Sequence, residues 1–307
     1  MTIKPPALKQ GDLIGIMAPS SSAEASELAA GIKLLEDRGF NVEVHPQTYF
    51  KDHSSAGTSA QKISALHDLW GRKDVRAIIT AGGGNRALHL LDQIDYGHIR
   101  RHPKIIMGFS DVTALLNAFN ARAAMTTFHG PVLKWLPRTN DLDHNFELMA
   151  GKKVSYPMDS TEIIHTGIAH GPLIGGNLTV FSHLIGTKYM PKMDGAILFI
   201  EDVNEEISNL DRLFLRLRRT GIMDRISGLV LGQFSDSKDT GKKPFGFSLE
   251  DVFREHTQGL KIPIVTNAPF GHVDTLYTMP VGNPARLSVR RQGHRVSLTL
   301  SEPAVKV

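Results

Sequence analysis

Residues 105–119 of the chain read IIMGFSDVTALLNAF, and this stretch decides the fold. A short apolar strand over Ile105–Phe109 leads through one polar turn into Val112–Phe119, where apolar residues have helical spacing. A strand that feeds directly into a helix is the repeating unit of a parallel sheet. Ser110 lies at the turn, which is the geometry of a nucleophile elbow beside the free N–H groups of a helix N-terminus. The alternative is that Ser110 or Asp111 caps the helix.

The same alternation extends toward the N-terminus. Apolar runs predict strands at Leu13–Met17, Val42–His45 and Val75–Thr80. Ser21, followed three residues later by Glu24, predicts a capping box for the first helix. The three helices between the strands are marked by apolar residues at Leu28, Ile32 and Leu35, at Ile63, Leu66 and Leu69, and at Leu88 and Leu91. We therefore expect a parallel sheet with helices on both faces and functional loops at the carboxyl ends of its strands.

Downstream of residue 136 the pattern weakens and then resumes. The segment 137–170 is rich in Pro, Asn, Asp and Gly and predicts a linker, whereas the tail, Arg286–Val289 and Val296–Leu300, alternates like a hairpin. The predicted architecture is an N-terminal parallel-sheet α/β domain over 1–136, the linker, and a smaller mixed α+β domain over 171–307. The other predicted elements of the second domain are helix Leu178–Ile185, strand Ala196–Ile200, helix Leu210–Leu217, strand Leu229–Phe234, helix Leu249–Phe253 and strand Ile262–Val265.

Composition excludes several classes of chemistry. The 307 residues include no cysteine, which removes thiol nucleophiles, CxxC redox pairs and thiolate-held metals. The net charge is +4, but the densest basic cluster, Arg212–Arg219, has helical leucine spacing and favours a solvated helix face over a nucleic-acid site. Residues 1–10 lack the apolar core of a signal peptide, and no run approaches about 18 apolar residues. We expect a cytoplasmic protein that binds neither nucleic acid nor membrane and needs no metal or cofactor.

A glycine turn follows the third predicted strand. In Gly82-Gly83-Gly84 the backbone N–H groups can approach a ligand closely, which suits a phosphate or an oxyanion. The turn matches neither the dinucleotide-binding fingerprint nor the P-loop, so a nucleotide has little support.

Two further segments place polar side chains after apolar strands. Glu201 and Asp202 follow a four-residue strand, and the alternatives to orienting a base are capping of the next helix and metal binding. His272 lies in the loop Pro269–Asp274 after another strand. Taken with Ser110, these residues give Ser, Glu and His in chain order, which is the constellation of serine acyl hydrolysis.

Six short motifs follow one another in a characteristic order. They are Gly11–Ser20, Met107–Leu115, Thr127–Pro131, Gly175–Leu178, Ile200–Val203 and Phe270–His272. In order and spacing, from about residue 11 to residue 284, they resemble the LD-carboxypeptidase family of serine peptidases. The resemblance implies an N-terminal parallel α/β domain, a smaller C-terminal domain and a site between them. It also implies a cytoplasmic homodimer that removes the terminal D-alanine from murein tetrapeptides in peptidoglycan recycling.

Carried over position by position, the resemblance assigns the site residues. Ser110 would be the nucleophile, His272 the base, and Glu201 the group that holds His272. The N–H groups of Asp111 and Gly83 would bind the oxyanion. The residues that read the substrate carboxylate are not assigned, with Arg86 and Lys134 candidates by residue type alone.

The sequence departs from the murein branch of this family in the glycine turn. It lacks the Arg, Tyr and last Gly of the usual pattern, and Asn85 and Phe109 look more like the microcin C immunity branch. His129 before Gly130-Pro131 looks more like the murein branch. A small peptide or muropeptide is therefore the first expected substrate, and an aminoacyl or peptidyl nucleotide conjugate the second. A non-catalytic ligand-binding protein is the alternative from another class.

Overall fold

A computed structural model describes residues 2–307, which form two β-sheets with helices packed against them. The strands are β1 Leu13–Met17, β2 Asn41–Val44, β3 Val75–Thr80, β4 Ile105–Gly108, β5 Thr127–His129, β6 Glu162–His165, β7 Gly167–Asn177, β8 Ile197–Val203, β9 Gly228–Ser235, β10 Ile264–Thr266, β11 Met279–Val281, β12 Pro284–Arg290 and β13 Arg295–Leu300.

The α-helices alternate with these strands, and four 3-10 turns lie between them. The helices are α1 Ala25–Asp37, α2 Ser59–Gly71, α3 Tyr96–Arg101, α4 Thr113–Ala123, α5 Leu142–Met149, α6 Leu178–Ser182, α7 Ile207–Arg219, α8 Ile222–Arg225 and α9 Leu249–Thr257. The 3-10 turns are Pro46–Tyr49, Ala87–Gln93, Ser110–Val112 and Leu133–Arg138. None of the helices within residues 2–307 has the length and apolar character that crossing a bilayer requires.

The first sheet has the strand order β11-β5-β4-β3-β1-β2. β1 to β5 run parallel, and β11 joins the edge antiparallel to β5. The parallel strands are largely apolar along their length, and successive side chains of a strand point to opposite faces. Both faces of the sheet are therefore apolar. Ile105 and Met107 pack into the core on one face with α1, whereas Ile106 packs with α2 and α4 on the other. The predicted parallel α/β region is confirmed.

The second sheet is mixed, with the order β13-β12-β7-β8-β9-β10-β6. β7 to β10 are parallel, while β12, β13 and β6 are antiparallel to their neighbours. The predicted mixed α+β region and its terminal hairpin are confirmed. Strand β6 and helix α5 lie inside the predicted linker 137–170, and β11 carries a segment of the predicted second domain into the first sheet. The domain boundaries stay a prediction.

Hydrogen bonds join helix α4, which packs on the first sheet, to strand β7 of the second sheet, close to the carboxyl end of β7. In α4, the Thr113 hydroxyl accepts from the Asn177 N–H at 3.0 Å, and the Asn117 amide donates to the Gly175 carbonyl at 2.8 Å. Gly176 lies so close that a Cβ there would overlap Thr113 and contact the ring of His129. The helix that follows Ser110 is therefore docked directly on β7, the neighbour of β8.

Two local predictions are wrong. The N-cap of α1 is Glu24, which forms the capping box with Glu27. Ser21 instead pairs with Ser55 and donates its N–H to the Gly83 carbonyl, so it belongs to a neighbouring loop. The segment with Leu88 and Leu91 is a 3-10 turn rather than an α-helix.

Candidate active site

Ser110 stands on a strained turn between β4 and α4. Its φ is +61°, a left-handed conformation that side chains other than glycine adopt only when the surrounding structure holds them. The residues at the N-caps are Phe109 for the 3-10 turn and Val112 for α4, and neither helix has a side-chain cap. The capping alternative for Ser110 and Asp111 is therefore wrong. The turn places the serine as a nucleophile elbow does.

Asp111 fixes this turn through its buried side chain. One carboxylate oxygen accepts from the Ser20 hydroxyl at 2.6 Å and from the Ala87 N–H at 2.9 Å. Burial raises the pKa of Asp111, and these two hydrogen bonds oppose that shift. The loops after β1 and β3 are thus joined to the turn after β4. The sequence predicted a backbone role or a helix cap for Asp111 and not this pairing, although Ser20 and Asp111 both follow strands whose ends meet at one edge.

The glycine turn lies directly beside the Ser110 side chain. A Cβ added at Gly83 would lie 3.0 Å from the Cβ and 3.2 Å from the hydroxyl oxygen of Ser110. At Gly84, where φ is +123°, a Cβ would overlap the hydroxyl of Ser21. Close approach therefore requires glycine at position 84 and leaves little room for a side chain between position 83 and Ser110.

Glu201 and His272 form a buried pair. His272 Nδ1 lies 2.7 Å from Glu201 Oε2, with the carboxylate inaccessible to solvent and the ring almost so. Glu201 belongs to the carboxyl end of β8 rather than following it. It caps no helix, because α7 begins after Glu206 and that N-cap forms no side-chain hydrogen bond. The capping alternative for Glu201 is wrong.

Asp202 is directed to different partners. Its carboxylate accepts from Asn177 Nδ2 at 2.8 Å, and from the N–H and hydroxyl of Thr179 at 2.9 and 2.8 Å. Burial, helped by the charge of Glu201, raises the pKa of Asp202 to about 6. The two carboxylates do not converge on one ligand, and within residues 2–307 no group of three His, Asp or Glu side chains is arranged to hold a metal.

Aromatic rings connect the nucleophile turn to His272. The Phe109 ring centroid lies 4.6 Å from that of His272, and Phe109 directly precedes Ser110. Trp135 packs edge-on to His272 at 6.0 Å and to Phe109 at 5.1 Å. The Arg138 guanidinium covers Trp135 at 4.2 Å and donates to Asp274 at 2.7 Å. Sequence reasoning missed this aromatic layer, because an apolar stripe carries no signal of which loop it will cover.

The structure therefore brings Ser110, Gly83, Asp111, Glu201 and His272 to one place between the two sheets. The two candidates for reading a carboxylate have other surroundings. Arg86 is exposed on a left-handed residue, with φ of +85°. Lys134 pairs with Glu27 at 3.2 Å, and its side chain passes within 3.7 Å of a Cβ placed at Gly82.

Comparison with known proteins identifies the family. The LD-carboxypeptidase N-terminal domain model matches residues 14–130, and the LD-carboxypeptidase C-terminal domain model matches residues 170–287. A Synechocystis protein named as a carboxypeptidase is 31% identical, over 93% of this chain and 94% of its own. A probable murein peptide carboxypeptidase of Bacillus subtilis is 28% identical over 100% and 98%. The microcin C7 self-immunity protein MccF of Escherichia coli is 26% identical over 95% and 94%.

Solved structures share the fold over almost the whole chain. The muramoyltetrapeptide carboxypeptidase of Oxalobacter formigenes superposes with a TM-score of 0.83 at 27% identity, covering 94% of this chain and 99% of its own. MccF in complex with glutamyl sulfamoyl guanosine superposes with a TM-score of 0.88, covering 99% and 100%, and at 24% identity it supports the fold alone. The chain therefore belongs to the LD-carboxypeptidase family and is an enzyme, a serine carboxypeptidase.

Proposed function

We propose that this enzyme hydrolyses the amide bond to the C-terminal D-alanine of a murein tetrapeptide, using Ser110, His272 and Glu201 as its triad. The observation that carries the proposal is the buried 2.7 Å contact between Glu201 and His272 next to the Ser110 turn. A serine on a strained elbow, a histidine and a buried carboxylate that orients it are the parts that serine acyl transfer needs.

The contact between His272 and Glu201 supports an assignment of the proton positions. With Glu201 as the acceptor, His272 Nδ1 would carry the hydrogen and Nε2 would be free to act as the base. His272 Nε2 takes the hydroxyl proton as Ser110 Oγ attacks the carbonyl carbon, and then protonates the leaving amine. Water attacks the resulting acyl-enzyme in the second half of the reaction. Among residues 2–307 no hydrogen bond joins Ser110 Oγ to His272, and we expect that contact to form when substrate closes the site.

The oxyanion would be bound by backbone groups. Asp111 lies in the first turn after Ser110, where helix N–H groups have no partner within the helix. Gly83 lies against the Ser110 side chain from the opposite loop. Two N–H donors aimed at a developing negative charge account for a factor of about 10² to 10³ each in comparable sites.

The test is product analysis by mass spectrometry. Disaccharide tetrapeptide is incubated with the wild-type enzyme and with Ser110→Ala. We expect the wild type to release one D-alanine and the variant to release none on the same time scale. Release of D-alanine by Ser110→Ala at the wild-type rate would disprove the assignment of the nucleophile.

A second substrate class has its own support. Asn85 and Phe109 resemble the immunity branch, and MccF matches over 94% of its length. An aminoacyl-sulfamoyl adenylate presents an acyl group to the same nucleophile; the bond from the acyl carbon to the sulfamoyl nitrogen breaks, and the sulfamoyl nucleoside leaves. Comparing kcat/KM for this conjugate and for the tetrapeptide on one enzyme preparation decides between them, and the larger value identifies the substrate class.

We also propose a cytoplasmic homodimer, supported by the family resemblance. Sedimentation equilibrium of the purified chain tests the oligomeric state. A mass of one chain across the micromolar range would contradict it.

A further inference from the structure

His129 occupies a place beside the site that the proposed mechanism does not use. It is the last residue of β5, in register with Gly108 of β4 and with Met279 of β11. Its side chain is completely buried. The ring packs edge-on to Phe109 at 6.3 Å and to Phe199 at 5.5 Å. A polar ring in so apolar a layer requires a hydrogen-bonding partner.

The polar atom that faces the ring is the second oxygen of Glu201. His129 Nε2 lies 3.9 Å from Glu201 Oε1. Among residues 2–307, neither nitrogen of this ring has a hydrogen-bond partner, and neither has Glu201 Oε1. The other carboxylate oxygen contacts His272 at 2.7 Å. The Glu201 carboxylate thus lies between two imidazole rings.

Burial decides the charge of His129. Burial lowers the pKa of His129 to about 4 against the opposing charge of Glu201, and the nearby His272 contributes to the lowering. These two are the titratable groups that face the ring, and its other neighbours are Phe109, Phe199 and Gly176. A neutral imidazole carries one N–H. It can therefore donate to Glu201 without competing for the negative charge that His272 needs.

The physical need lies with Glu201. A completely buried carboxylate with one hydrogen-bonded oxygen is unfavourable, because the desolvation of the other oxygen is not compensated. A movement of about 1 Å by either side chain converts a 3.9 Å separation into a normal hydrogen bond. Such a bond would fix the carboxylate plane and hence the direction of the His272 ring.

We propose that His129 is a positioning residue, whose Nε2–H donates to Oε1 of Glu201 and holds that carboxylate in line with His272. This inference rests on the proposed function, because it gives His129 a role only if Glu201 and His272 act as a catalytic pair.

The test compares two substitutions in the tetrapeptide assay. His129→Phe keeps an aromatic ring but has no donor, whereas His129→Gln keeps an N–H donor of similar reach. We expect His129→Phe to lower kcat by about 10- to 100-fold, as loss of an orienting partner does elsewhere, with KM nearly unchanged. We expect His129→Gln to retain kcat within about fivefold, since its amide can replace the N–H.

The pH profile separates positioning from packing. Without the donor, the negative charge on Glu201 is less stabilised by hydrogen bonding. The Glu201–His272 pair therefore holds a proton more tightly. The acidic limb of kcat/KM should therefore move to higher pH in His129→Phe and stay in place in His129→Gln. Wild-type kcat and an unmoved limb in His129→Phe would overturn the inference. Equal losses of kcat in both variants with an unmoved limb would also overturn it, by showing a packing role.

Two further measurements keep the inference independent of folding and of the proposed function. If His129→Phe does not fold, nitrogen NMR of the wild-type imidazole decides: a neutral Nε2–H tautomer supports the inference, and a neutral Nδ1–H tautomer overturns it. Ser110→Ala is assayed beside the His129 variants. An active Ser110→Ala overturns the proposed function, whereas an inactive Ser110→Ala beside a fully active His129→Phe overturns the role of His129 alone.

Discussion

On one side of the site, Ser110 stands on a turn with φ of +61° and meets the backbone of Gly83. On the other side, Glu201 and His272 are joined by a side-chain contact of 2.7 Å in a nearly dry environment. We call the first the nucleophile side, comprising Ser110, Gly83 and Asp111, and the second the base side, comprising Glu201 and His272. The nucleophile side is shaped by backbone conformation and the base side by side-chain electrostatics.

This difference predicts opposite sensitivities. The nucleophile side should be damaged by added atoms, since its function depends on open space beside a hydroxyl. The base side should be damaged by loss of charge at constant shape, because the carboxylate and the ring are already packed. Substitutions on the two sides should therefore differ in their effects on kcat and on the free energy of unfolding.

Glu201→Gln should have the largest effect. It keeps the shape of the side chain, but its amide leaves His272 without a charged partner and can favour the wrong tautomer. By analogy with the loss of a triad carboxylate, kcat should fall by about 10⁴. Steady-state kinetics on the tetrapeptide measure this, with Glu250→Gln, an exposed residue in the first turn of α9, as the matched control. Wild-type kcat in Glu201→Gln would remove the base side from the mechanism.

Gly83→Ala should come next. The added methyl would lie 3.0 Å from the Ser110 Cβ, so one of the two loops must move and the oxyanion donors move with it. We expect kcat to fall by about 10² to 10³, the effect of losing one such donor. Gly71→Ala is the control, because a Cβ at Gly71 meets only His98 at an ordinary 3.8 Å. Equal kcat for the two variants would show that the nucleophile side tolerates added atoms.

Asp111→Asn should affect stability more than chemistry. The amide oxygen of Asn can accept from both Ser20 and Ala87, but it replaces hydrogen bonds to a carboxylate by weaker bonds to a neutral group. We expect a loss of about 1 to 3 kcal/mol in the free energy of unfolding, since each hydrogen bond to a charged group contributes about 1.5 to 3 kcal/mol and a neutral one about 0.5 to 1.5 kcal/mol. Urea denaturation measures it, with exposed Asp37→Asn as the control. A difference between the two variants below about 0.5 kcal/mol would mean that Asp111 does not hold the loops together.

An effect of similar size to that of Asp111→Asn concerns the pH dependence of stability through Asp202. Its folded-state pKa of about 6 lies above the ordinary value of 3.8, so the folded protein binds this proton more tightly than the unfolded chain does. The resulting stabilisation is complete below pH 3.8 and is lost as the pH rises through about 6. The stabilisation lost between these two pH values amounts to about 2 to 3 kcal/mol in the free energy of unfolding.

Denaturation of the wild type and of Asp202→Asn at pH 4, 5, 6 and 7 tests this assignment. Subtracting the Asn variant cancels the titration of other groups, His129 among them. The stability of the wild type relative to the variant should decline from pH 4 to pH 7. A relative stability that rises with pH would show that the carboxylate is favoured as an anion in the folded protein.

Much of the fold follows from local sequence pattern. β1 and β3 begin and end at the residues predicted from their apolar runs, because buried parallel strands are continuously hydrophobic. Ser110 and Glu201 were predicted because each directly follows an apolar run, and His272 because it lies in a glycine-containing loop after another strand. The family resemblance then assigned their roles. The strand β11, by contrast, is three residues long and gains its place only by pairing with β5 across the fold. No local sequence pattern predicts such a contact.

The same limit applies inside the site. The meeting of His129 with Glu201, and that of Ser20 with Asp111, depends on which strand ends lie side by side. The prediction for Ser21 is wrong for a related reason. Its residue type suits an N-cap, but the loop at Ser55 holds it away from the helix, and Glu24 forms the capping box instead. Residue type predicted the chemistry, whereas tertiary packing selected the partners.

We propose that the nucleophile side and the base side act as one catalytic unit. A double-mutant cycle measures this coupling directly. The measurement is kcat on the tetrapeptide for wild type, Ser110→Ala, His272→Ala and the double variant. Residues that act as a unit are strongly non-additive. We predict that the double variant is no slower than the slower single variant. A double variant whose loss is the product of the two single losses would show that Ser110 and His272 act independently and would contradict the account.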